Sequence, residues 1–205
     1  LTLSLLTEQL QQLTPDEQLH WKCKTGRPFL GVDLQVVDDA GTPVARDGRT
    51  VGEIRVKGAT VTPGYWQNPE ATAAAFDRDG YLRTGDLATI DAHGYVDIVD
   101  RKKDVIKTGG EAVYSIEVEN VLYAHPAVLE CAVFGLPDPT WGERVTAVVA
   151  PRGDARPSAE SLAAFCEGQI AGYKAPRAVV HVSELVRSPS GKADYRWAKA
   201  VAKGE

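Results

Sequence analysis

The texture of the chain changes once, at the charged pentad Asp-Arg-Lys-Lys-Asp of residues 100–104, and that change limits the folds open to it. Before the pentad, from residue 27 on, the runs "VDLQVVD", "GEIRVKG", "YLRTGDLATID" and "YVDIVD" are rich in strand formers and separated by the turn clusters "DDAGTP", "RDGRT" and "DAHG". They predict an antiparallel β unit with one short helix in "NPEATAAAF", where Asn68 suits the N-cap and Pro69 the first helical position. After the pentad, helix and strand patterns alternate. "YSIEVENVLYAHP" predicts a helix with Ser115 as N-cap and Pro126 as its stop. Two strands, "VLECAVFGL" and "ERVTAVVAP", follow around the turn "PDPTWG". A helix opened by Ser158 places Leu162, Phe165, Cys166 and Ile170 on one stripe and is expected to end near Gly172. "RAVVHV" reads as another strand, and Asp194 as the cap of a last helix running through Trp197 and Val201. The first thirty residues read as helical or irregular. The expected fold is α+β: residues 1–100 form an antiparallel β-rich part, and residues 101–205 a small α/β or α+β domain.

Composition narrows the functions available. A chain of 205 residues with 43% hydrophobic and 25% charged residues can bury a real core, and none of its apolar runs approaches the roughly 20 residues of a membrane-spanning helix. The net charge of −5 gives no general attraction for nucleic acid, and Arg101-Lys102-Lys103 is too short a basic run to serve as an arm. Cys23, Cys131 and Cys166 are far apart and odd in number, which argues against a disulfide framework and against a zinc site, and a reducing cytoplasm is the simplest setting. The chain starts at Leu1 and contains no methionine, so it is expected to be a fragment or processed product.

Three stretches carry candidate chemistry. In "YLRTGDLA" a strand runs into Gly85-Asp86; these residues form turns readily, yet a carboxylate at a strand end can also accept hydrogen bonds from a diol such as a ribose. In "DRKKDVIKTGGE" the basic residues form a solvated face by default and Gly109-Gly110 a hairpin turn; alternatively Arg101 and Lys107 meet an anionic ligand that passes close to the glycine backbone. Trp141 in "PDPTWGERV" reads mainly as packing. "RSPSGKADYR" looks like a phosphate loop but is not one, because Val186 stands where the first glycine of G-x-x-x-x-G-K-[ST] belongs and Ala193 follows Lys192. Lys192 is then either an exposed turn lysine or a mobile cation delivered to a phosphate or carboxylate.

Taken in order, "GEIRVKGATVTPGYWQNPEATAAAF", "YLRTGDLATIDAHGYVDIVDRKKDVIKTGGE", "IEVENVLYAHPAV", "GLPDPTWGERVTAVV" and "RSPSGKADYR" resemble the C-terminal part of the adenylate-forming acyl-CoA synthetases, over about residues 26–199. The resemblance implies roles for single residues. Asp86 is similar to the aspartate that holds both ribose hydroxyls of ATP and of the acyl adenylate. Arg101 matches an arginine that also reaches the ribose, and Ile98 an apolar contact to the nucleotide. Lys103 stands at a hinge about which the small C-terminal lid domain turns between half-reactions. Lys107, Gly109 and Gly110 fall on the hairpin that lines the channel for the pantetheine arm of CoA. Lys192 resembles the lysine that bridges the substrate carboxylate and the α-phosphate.

The resemblance further implies a fatty or other carboxylic acid, ATP and CoA as substrates, with Mg²⁺ held by ligands upstream of residue 1 and no metal ligand within the chain. Ala112 and Val113 depart from arginine and aromatic residues found in some relatives, so neither is given a ligand role. The phosphate loop and acyl pocket of such enzymes also lie upstream, so the chain alone is not expected to complete adenylation. Two other functions remain open: a fatty acyl-AMP ligase loading a carrier protein, and a non-catalytic nucleotide-binding fragment.

Overall fold

In a computed structural model that describes residues 1–189 and 191–205, the chain divides into two compact units, Leu1–Lys103 and Asp104–Glu205. The fold is α+β, as the alternation of patterns predicts.

The first unit is built on a four-stranded antiparallel sheet whose strands follow sequence order: β3 (Val32–Val37), β4 (Gly52–Gly58), β5 (Leu82–Ile90) and β6 (Val96–Arg101). Period-two alternation sends Leu34 and Val36, Ile54 and Val56, and Ala88 and Ile90 to one face, where with Val96 they form the core of this unit. The N-terminal segment is more ordered than its sequence suggests. Strands β1 (Thr2–Leu3) and β2 (Arg27–Pro28) pair with each other, and helix α1 (Pro15–Lys22) opens on a capping box in which Thr14 and Glu17 satisfy each other's backbone amides. Trp21 of α1 meets the rings of His93 and Tyr95 edge-on, and Lys24 pairs with Asp91 at 2.7 Å, so the turn between β5 and β6 is strapped to the N-terminal segment. Helix α2 (Pro69–Ala75) is capped by Asn68, which accepts from the Ala71 amide at 3.0 Å.

The second unit has a five-stranded sheet. Its centre is the long hairpin of β9 (Val128–Asp138) and β10 (Gly142–Pro151). On the other edge of β10, strand β11 (Ala178–His181) pairs in parallel along residues 146–149, and the short hairpin β7 (Ile106–Thr108) and β8 (Glu111–Val113) joins at Gly142. Both faces of this sheet are buried, which explains why "VLECAVFGL" and "VTAVVA" are continuous apolar runs rather than alternating ones. Cys131, Val133, Val145, Ala147 and Val149 face α3 (Ser115–Tyr123) and α4 (Ala159–Cys166); Ala132, Phe134, Leu136, Val148 and Ala150 face α5 (Tyr195–Lys203).

Two helix ends differ from expectation. The N-cap of α3 is Tyr114 and makes no side-chain cap, whereas Ser115 lies inside the first turn, buried, with its hydroxyl donating to the Asp104 carbonyl at 3.3 Å. Helix α4 stops at Cys166 rather than near Gly172, because Gly168 turns left-handed (φ +76°) and the Gln169 side chain donates to the Phe165 carbonyl. Ile170 still packs on the core, so the apolar stripe is real although the helix ends before it.

Candidate functional site

The Thr84-Gly85-Asp86 turn shows why each residue type is needed. Thr84 donates its hydroxyl to the Ile54 carbonyl of β4 at 2.9 Å and accepts from the Asp86 amide at 3.1 Å, tying the segment to the sheet from both sides. Gly85 adopts φ +73°, open to glycine at no cost, and its carbonyl accepts from the Lys102 amide at 2.8 Å. Asp86 is thereby set opposite Arg101, with Nε–Oδ1 at 2.6 Å.

A bulge decides what else shares that face. Between the pairs Ala88–Ile98 and Asp86–Arg101, β5 advances two residues and β6 three. In a regular strand Ile98 and Arg101, three apart, would point to opposite faces. The extra residue brings both to the Asp86 side, beside Ala88. The pair is open to solvent, with Asp86 24% and Arg101 50% exposed, and Ile98 adds a 38% exposed apolar surface. The arrangement offers a second carboxylate oxygen as acceptor, a guanidinium and an apolar contact on one sheet face, a set suited to a sugar hydroxyl pair and a flat base.

The neighbouring cations serve otherwise. Lys102 reaches Asp39 at 2.8 Å and Glu53 at 3.1 Å; the Asp39 carboxylate foremost, with Glu53, holds its ammonium above the usual lysine range against a contrary effect of burial. Lys103, the last residue of the first unit, is exposed.

In the second unit, Gly109 and Gly110 form the two-residue loop between β7 and β8 with φ +59° and +86°, the double left-handed geometry of a tight hairpin. The Gly109 amide donates to the Trp141 carbonyl at 2.8 Å, and a Cβ on Gly109 would stand 3.2 Å from the Trp141 ring. Trp141 therefore does more than pack: it seats the glycine hairpin, with the Arg177 guanidinium 4.4 Å from its ring centre. The Lys107 amide donates to Glu143 at 2.7 Å, and its residue is exposed. Val113, one of the two departures from relatives, is fully buried core.

Lys192 sits on a loop closed by an antiparallel bridge between Arg187 and Ala193. The Ser188 amide donates to the Lys192 carbonyl and the Gly191 amide to the Ser188 carbonyl, both at 2.8 Å; Ser190 lies outside the described residues. Lys192 is exposed, and its ammonium has no hydrogen-bond or ion-pair partner among the described residues. Asp194 follows and caps α5 through the Arg196 and Trp197 amides.

Apart from Lys103, at the end of the first unit, the predicted residues fall into three places. Asp86, Ile98 and Arg101 are brought together. Gly109, Gly110 and Lys107 share a hairpin at the Gly142 end of β10. The Lys192 loop touches Glu130 near the other end of the β9–β10 ladder, roughly 25 Å away at ~3.3 Å per residue. Mg²⁺ does not fit the residues present: one Asp86 oxygen is taken by Arg101, and among the described residues no group of three or more His, Cys, Asp or Glu side chains could hold a cation. Also among the described residues, no helix is long and apolar enough to cross a membrane.

Residues 117–192 match the model of the AMP-binding enzyme C-terminal domain. The chain is 44% identical to the long-chain-fatty-acid–CoA ligase of Thermus thermophilus over 92% of its own length and 35% of that protein's. It is 45% identical to a feruloyl-CoA synthase of an Amycolatopsis species over 82% of this chain and 33% of that one. The chain belongs to the C-terminal part of the AMP-forming acyl-CoA synthetase family. Among solved structures it is similar to o-succinylbenzoate CoA synthetase of Bacillus subtilis in complex with its acyl-adenylate intermediate, with a TM-score of 0.80, 33% identity, and coverage of 91% of this chain and 37% of that one. This family member spans about a third of the length of the curated relatives it matches. Arg187 and Thr84 escaped the sequence reading, although Arg187 opens the very stretch "RSPSGK" that singled out Lys192.

Proposed function

We propose that the chain works as the C-terminal part of an acyl-CoA ligase that converts a carboxylic acid and ATP to an acyl adenylate and transfers the acyl group to CoA. The observation that carries this reading is an exposed lysine without a partner among the described residues, held on a closed loop at the opposite end of the second unit from a glycine hairpin. Two half-reactions call for two such tools used in turn. In the first, a carboxylate approaches a polyanion, and the Lys192 ammonium offsets the charge that gathers between them. In the second, the hairpin of Gly109 and Gly110 presents backbone to the pantetheine arm, with Lys107 beside it. Asp86 accepts from the ribose hydroxyls, Arg101 orients Asp86 and reaches the same sugar, and Ile98 meets the nucleotide. Lys103 is the hinge. Mg²⁺ would be held by ligands in the part of such enzymes outside this chain.

The names of the relatives favour CoA over a carrier protein as acceptor. A fatty acid is favoured by the resemblance of "DRKKDVIKTGGE" to fatty acyl enzymes. A chimera in which this chain replaces the matching third of the Thermus ligase tests the reading. Lys192→Ala is expected to slow ATP–pyrophosphate exchange by roughly 10² to 10³-fold, while thioester formation from supplied acyl adenylate survives. Equal loss of both half-reactions would refute the assignment.

A further inference from the structure

A long lysine side chain delivers its charge only as accurately as its backbone is held. The loop carrying Lys192 is closed on itself by the Ser188–Lys192 and Gly191–Ser188 hydrogen bonds, neither of which ties its tip to the sheet. The Arg187 side chain does. The Arg187 guanidinium donates through Nη1 to the Gly191 carbonyl at 2.8 Å, on the peptide that joins Gly191 to Lys192, and through Nη2 to the Glu130 carboxylate of β9. Glu130 is paired within the β9–β10 ladder, at Ala150, and so is a fixed point of the sheet. Gly191 has φ +82°, so the peptide next to Lys192 is set in a conformation that other residues adopt poorly.

We propose that Arg187, braced by Glu130, is the positioning residue for Lys192: it fixes the peptide from which the ammonium is projected and acts on adenylation only through that lysine. This rests on the function proposed above. An isolated exposed Arg–Glu pair would contribute little. Here the guanidinium uses two of its donors in a planar fork, one on the loop tip and one on the sheet, a geometry that lysine cannot reproduce. Displacing a catalytic group by about 1 Å can cost a hundredfold in rate, so a tie at this point is felt in the reaction more than in stability.

Two measurements test the inference independently. Hydrogen–deuterium exchange on the 205-residue chain reads the loop itself. In Arg187→Ala and in Glu130→Gln the Ser188 and Gly191 amides are expected to exchange roughly tenfold faster while β10 keeps its protection. Unchanged loop exchange overturns the inference, and so does a general loss of protection, which would mean that Arg187 supports the whole unit.

In the Thermus chimera, Arg187→Ala is expected to lower kcat of ATP–pyrophosphate exchange by about 10- to 100-fold with KM for ATP little moved and thioester formation from supplied adenylate intact. Arg187→Lys should recover only part of that loss. Added to Lys192→Ala, Arg187→Ala should cost nothing further; a fully additive loss means that Arg187 acts elsewhere and sinks the inference. If Lys192→Ala impairs exchange and Arg187→Ala does not, only the positioning role falls. If Lys192→Ala is harmless, the proposed function falls and takes the catalytic meaning of Arg187 with it.

Discussion

A carboxylate's acidity counts the donors it keeps in the folded chain. Asp47 accepts from the Thr50 amide at 2.7 Å, the Thr50 hydroxyl at 2.7 Å and the Arg49 amide at 2.8 Å, and these hold its pKa at about 2. Because the folded value lies below the unfolded one of ~3.9, its contribution to stability is complete above pH ~4 and is lost as pH falls toward 2. A carboxyl titration by NMR should place the Asp47 midpoint near 2, and Thr50→Val, which keeps the amide and removes the hydroxyl, should move it part of the way up toward the ordinary range; an unmoved midpoint would show that the hydroxyl adds nothing to the hold of the amides. The turn itself was legible as "RDGRT", but not this degree of donor convergence, which depends on side-chain torsions. The same limit applies at the site. Asp86 and Arg101 could be named from sequence, whereas the hydrogen bond from Thr84 to the Ile54 carbonyl that ties down the turn before Asp86, and the reach of Arg187 to Glu130, join residues 30 and 57 positions apart.

At the scale of elements, turns and alternation were the legible part. Strand β4 coincides with "GEIRVKG", and the caps Asn68, Ser158 and Asp194 are where short polar side chains before helical runs place them. What alternation could not show is the bulge in β6, since one extra residue reverses the face of everything after it and leaves no mark in composition. Ser115 misled for a related reason: a serine before an acidic helical run fits a cap, but burial against Asp104 turned it inward. The glycine hairpin gives a sharper prediction. Gly109 and Gly110 both need left-handed backbone, so alanine at either should cost about 1–2 kcal/mol. Gly109→Ala should cost more, because its Cβ would also stand 3.2 Å from the Trp141 ring, whereas nothing lies within 4 Å of a Cβ on Gly110. Urea denaturation of the two variants would check this, and the opposite order would mean that the Trp141 ring yields freely.

For the molecule as a whole, the sequence announced two kinds of unit but not how the second one is layered. Continuous apolar runs are compatible with buried strands and with buried helices alike, and the parallel pairing of β11 with β10 joins segments some thirty residues apart across a helix. The structure resolves the ambiguity by placing helices on both faces of one sheet, which gives each unit a core of its own: Leu34, Val36, Ile54, Val56, Ala88, Ile90 and Val96 in the first, and the two-sided β9–β10 sheet in the second. Leu122 of α3 is fully buried among Val118, Val128, Val133 and Leu162. Leu122→Ala leaves a cavity there and should destabilise the second unit by about 2–5 kcal/mol. Hydrogen exchange resolves where that loss is felt. Amides of β9 and β10 should lose protection by a matching factor while those of β3 and β4 keep theirs, because the cavity opens within the second unit's own core cluster. Equal loss in both sheets would show instead that the chain opens as one cooperative body, and the separate cores would then not be separate units of stability.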